Sequence, residues 1–185
     1  MTWMKYMLVK LLFILLIVFN YPAYAVSLDF VSLDELFKKS DVVVHIKITE
    51  ASVGYLSEKN TEYCDYWGEI INLFKGIDNK KISFESYEGL EIGSEYVLFL
   101  RHYENSYIAS PILGEIFEFH REYGANKTKT WLKNSASHIK IPKDIMTLDV
   151  KYRSVDQSDY YPSYISYLLV DWEEFNAHLL KLNTP

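Results

Sequence analysis

A mainly β protein of the α+β class is what this 185-residue sequence predicts: a small β-barrel, a short helix before it, and an extension after it that ends in a second helix. Three observations carry the prediction. Residues 41–49 alternate apolar with polar, residues 96–100 are apolar at every position, and glycines at 68, 76, 89 and 93 fall where a chain must coil or turn. Alternation marks a strand with one buried face, whereas an unbroken apolar run of strand length marks one covered on both faces and central in its sheet.

Residues 1–25 carry Lys5 and Lys10, an apolar run from Leu11 to Phe19, and Ala23-Tyr24-Ala25 in the A-x-A form that a signal peptidase cuts. This segment is read as a secretory signal peptide, and the apolar run is short for a membrane span. The mature chain would begin at Val26, be exported to the periplasm or beyond the cell, and contain no membrane span. Loss of the two lysines takes the net charge from −6 to −8, which disfavours nucleic acid as a partner.

The first helix is predicted from Ser32-Leu33-Asp34-Glu35, with Ser32 as N-cap, Glu35 returning to its backbone N–H, and Val31 meeting Leu36 as a staple. Leu33, Leu36 and Phe37 form its buried stripe, and it ends near Lys39-Ser40. In the strand that follows, Val42, Val44, Ile46 and Ile48 share the apolar face. His45, with Val43, Lys47 and Thr49, takes the other and reads as a solvated residue.

Residues 51–62 are polar and read as a hairpin-like loop. Tyr63 to Phe74 reads as a long strand whose apolar phase slips, and a bulge at Gly68 accounts for the slip and coils the strand as a small barrel requires. Gly76 with Ile77-Asp78-Asn79 forms a turn, Ile82 and Phe84 lie on a half-buried strand, and Gly89 and Gly93 punctuate the next turn. After the central strand, residues 107–110 and 114–120 give two more, for about six strands in all.

The order of these pieces, a helix ending before SDVVVHIKI, a strand closing in LFKG, a short ISF strand and then LEIGSEYVLFL, resembles the netrin-like, or tissue-inhibitor-of-metalloproteinase-like, OB-fold domain of many small exported bacterial proteins. The likeness spans residues 32–122 and implies a partly open five-stranded barrel with a binding face. The inhibitors of that fold chelate zinc through an N-terminal cysteine and are stapled by disulfides. Here the predicted mature N-terminus is Val26 and Cys64 is the single cysteine, so no inhibitory role is assigned to any residue.

The barrel domain is accordingly expected over 26–124 and the extension over 125–185. Residues 125–143 hold five lysines and no acid, against a net charge of −9 for 26–124; they read as an ordinary exposed connection, with a basic patch as the functional alternative. Tyr160, Tyr161, Tyr164 and Tyr167 form either a segment laid over the barrel or a recognition surface. Asp171 and Glu174 repeat the capping spacing, Val170 and Phe175 the staple, and Trp172, Phe175, Leu179 and Leu182 the stripe of a docked terminal helix.

Five scattered histidines give no metal-ligand spacing, there is no nucleophile elbow or phosphate loop, and Glu62 and Asp65 beside Cys64 disfavour a thiolate. No catalytic residue, metal or cofactor is expected. The sequence therefore points to a non-enzymatic exported binding protein for a protein or envelope polymer, with Trp67, Tyr103 and Tyr107 as candidate binding rings. A thiol-dependent or other hydrolase using Cys64, or a structural envelope component, is the alternative. Ligand and oligomeric state are not encoded in any motif.

Overall fold

The computed structural model describes residues 30–56, 61–76, 78–87, 89–109, 115–120, 130–134, 139–153 and 164–184; the expected signal peptide, Lys127, Lys129, Tyr160 and Tyr161 lie outside them. Eleven strands and two helices occur among these residues, more strands than the sequence predicts. Five of them close the barrel: β2 (Val42–Leu56), β3 (Thr61–Lys75), β4 (Lys81–Ser86), β5 (Glu95–Tyr103) and β6 (Ser106–Ala109). Around the barrel the order is β2-β3-β4-β6-β5 and back to β2, with β4 and β6 parallel and every other pair antiparallel. This is the order of the OB-like barrel that the sequence predicts.

β5 is the branch point. Residues 96–98 pair with β7 (Ile116–His120), and residues 101–103 pair with β6, while β2 occupies the opposite edge. From β7 the sheet runs on antiparallel through β8 (Trp131–Asn134) and β11 (Tyr164–Asp171) to β10 (Thr147–Arg153). A separate parallel pair joins β1 (Val31–Ser32) to β9 (Ile139–Lys140).

Two hydrophobic cores share the barrel wall. Val42, Val44, Ile46, Ile48, Leu98 and Leu100 point into the barrel, whereas Val43, Val97 and Phe99 point outward beneath the helices Leu33–Lys39 and Trp172–Leu182. The continuous apolar run of β5 thus serves both layers. Phe175 and Leu179 of the last helix are fully buried in the outer core, which also includes Leu132 and Val170 of the extension.

Both helix starts carry the predicted caps. Ser32 Oγ accepts from the Glu35 N–H at 3.2 Å, and Asp171 Oδ1 from the Glu174 N–H at 3.1 Å. The reciprocal arms differ from expectation. Glu35 pairs with Lys39 at 2.7 Å, and the Glu174 carboxylate accepts from the Met146 N–H, which fixes the start of β10 to the helix. Lys75 closes the other end of the first helix by donating to the carbonyls of Phe37, Lys38 and Ser40.

Several expectations are corrected. Residues 51–56 and 61–62 are not loop: β2 and β3 continue as a paired ribbon to Leu56↔Thr61, because the backbone ladder needs no apolar side chains to form. The basic segment is not merely an exposed connection, since Trp131 and Leu132 are buried in β8 and Ile139 in the outer core. His45 is buried, not solvated, because the helix layer covers the outward face of β2. The tyrosine-rich stretch contributes β11, an internal strand.

Candidate binding face

Coiling of β2 and β3 sets up the outward surface of the barrel. The register shifts three times along this pair; one shift leaves Thr49 of β2 as the extra residue between Ile48↔Gly68 and Glu50↔Trp67. The extra residue thus lies on β2 opposite Gly68 rather than at Gly68 itself. Gly68 is required for a different reason: a Cβ there would meet Ile46 Cγ1 at 2.5 Å and the Lys47 carbonyl at 2.8 Å. At the far end of β3, Gly76 adopts φ +108°, as the predicted turn requires.

Strand alternation then divides the residues of β3. Tyr66 enters the barrel, its hydroxyl accepting from the Leu90 N–H at 2.8 Å, with Cys64 beside it. Tyr63, Asp65, Trp67 and Glu69 face outward. Pairing with β2 and β4 arranges three rows: Ser52, Asp65 and Glu85; Glu50, Trp67 and Ser83; Lys47, Glu69 and Lys81. Trp67 occupies the centre and is 38% exposed; Tyr87, two residues beyond Glu85, is 60% exposed.

The electrostatics are uneven across this grid. Glu69 lies 3.9 Å from Lys81, so the lower row is largely balanced. Asp65 and Glu85 oppose one another directly, and burial, followed by the Glu85 charge, pushes the Asp65 carboxyl above its ordinary value. Aromatic faces between carboxylates present flat apolar area, hydrogen-bond acceptors and negative potential on one surface.

The three rings expected to bind are not brought together. Tyr103, 58% exposed, stands at the β5–β6 hairpin beside Glu104, which has φ 53°. It points outward but is separated from Trp67 by β4 and β6. Tyr107 turns inward, half-buried against the barrel core with its ring edge-on to His102 at 5.4 Å. Glu50, Asp65 and Glu85 are not among the binding residues singled out from the sequence; the alternation Tyr63-x-Asp65-x-Trp67-x-Glu69 signals only that Asp65 shares a face with Trp67, and Glu50 and Glu85 join it through the register of β2 and β4.

A second cluster lies behind the barrel. His45 stacks on Phe119 at 4.3 Å, meets Trp172 at 5.3 Å and places Nε2 3.0 Å from Glu95 Oε2. The enclosed ring joins barrel, β7 and last helix; it is only 7% exposed, which suits packing better than contact with a ligand. Among the described residues no three His, Cys, Asp or Glu side chains are grouped to hold a metal, and no helix is long and apolar enough to cross a membrane. Comparison of the chain with protein-family models and with curated proteins yields no match.

Proposed function

We propose that this chain is an exported, non-enzymatic binding protein of netrin-like OB type, and that the outward face of β3 and β4 recognises a protein or envelope polymer. The observation that carries the reading is the position of Trp67. A large aromatic ring stands exposed at the centre of the outward β3–β4 surface, on the strands that OB barrels commonly use for ligands. Its inward neighbours Tyr66 and Phe84 are fully occupied in the barrel core, so the wall beneath the surface is packed and preformed.

The test is retention of an immobilised envelope fraction by wild-type chain and by Trp67→Ala. The substitution leaves the inner wall in place, so the circular dichroism spectrum is expected to keep its β form and the unfolding midpoint to fall only by the loss of the ring's covered part, while retention is lost. Equal retention by the two proteins would overturn the assignment of this face.

A further inference from the structure

We infer that the occupant of the Trp67 face is a basic polypeptide segment, lying extended along β3 with lysine or arginine at alternating positions. The inference rests on the reading of that face as the binding surface and adds the chemistry of the ligand. Around Trp67, Glu50, Asp65 and Glu85 have no cationic partner among the described residues, while Lys81 stands beside Glu69 in the lower row with Lys47 on its other side. Like charges placed directly across a strand pair, as Asp65 and Glu85 are, oppose folding. An arriving cation removes that repulsion; a neutral sugar does not.

Geometry agrees with charge. Successive outward residues of β3 are spaced by about 6.8 Å, the same interval that separates alternate side chains of an extended peptide. A basic side chain over Trp67 would therefore be followed by another at Asp65 and Glu85. Indole and phenol faces attract guanidinium and ammonium groups; Trp67 lies two residues from Asp65 on β3, and the exposed Tyr87 follows Glu85 by two residues just past the end of β4. The net charge of −9 over residues 26–124 steers such a segment toward the barrel.

Calorimetric titration of the full chain tests this with three probes: an Arg-Ser repeat decapeptide, its Glu-Ser counterpart and chitohexaose. Binding of the Arg-Ser peptide alone is expected, weakened about tenfold between roughly 50 and 500 mM salt. Glu85→Gln, a conservative change at a partly exposed site, is expected to weaken it about fivefold or more, and Trp67→Ala to abolish it. Absence of Arg-Ser binding, or binding that neither substitution alters, would overturn the inference. Chitohexaose binding abolished by Trp67→Ala, with no peptide binding, would preserve the face and overturn its cationic ligand; binding of chitohexaose that Trp67→Ala leaves intact would overturn both.

Discussion

The His45 imidazole lies 5.3 Å from the Trp172 indole, so the first barrel strand and the first turn of the last helix meet in one aromatic contact. Glu95 is the charged group facing the ring, and Phe119 covers it from β7. Burial lowers the His45 pKa below its ordinary 6.5, and the hydrogen bond and charge of Glu95 only partly oppose the shift. The unfolded chain therefore takes up a proton at this site before the folded one does. Stability is full above pH 6.5 and falls as pH drops from 6.5 toward the lower folded value. Urea midpoints across that window are expected to slope downward for the wild type and to flatten in His45→Gln; equal slopes would contradict the assignment.

Asp65 shifts the other way. Its folded pKa stands above the ordinary 3.8, so ionisation opposes folding as pH rises through the folded value. Burial is the larger cause and Glu85 the smaller. In Glu85→Gln the Asp65 carboxyl titration, followed by NMR, is expected to move down while staying above 3.8. No movement would mean that the two carboxylates do not interact.

Lys75 donates to three carbonyls around the end of the first helix, two of them at 3.0 Å, and its ammonium lies 5.6 Å from the Phe37 ring centre. Lys75→Met keeps the aliphatic stem and leaves those acceptors without the donor. The expected loss is about 1–2 kcal/mol in urea unfolding, and an unchanged midpoint would show that solvent replaces the ammonium fully.

Gly68→Ala places a methyl group against Ile46 and the Lys47 carbonyl, where the β2–β3 wall cannot open without disturbing the barrel. A destabilisation of about 2 kcal/mol or more is expected from this overpacking. A midpoint equal to wild type would mean that the bulge at Thr49 absorbs the change.

The elements legible in the sequence were those specified by local chemistry. Ser32 and Asp171 announced helix starts through their own hydrogen bonds, Gly76 announced a turn through its backbone freedom, and residues 96–100 announced a strand covered twice. What could not be read depends on neighbours distant in the chain. His45 is one side-chain repeat from Val43 and looked polar-facing, but its partner strand has Val97 and Phe99 on that same side, and those two residues required cover. The strands of residues 131–171 are held by pairings up to 40 residues apart, as in Trp131↔Asp171. Trp67 was identifiable as an unusual ring, but its acidic frame comes partly from β2 and β4 and exists only once register is fixed.

Photo-crosslinking of the envelope fraction tests the central claim most directly. A benzoylphenylalanine is placed at Ser83, beside Trp67 on the proposed face, or at Leu180, exposed on the last helix. The account predicts a saturable adduct from position 83 that excess Arg-Ser decapeptide suppresses, and none from position 180. An adduct formed from position 180 and not from position 83 would place recognition on the extension and contradict the assignment of the barrel face.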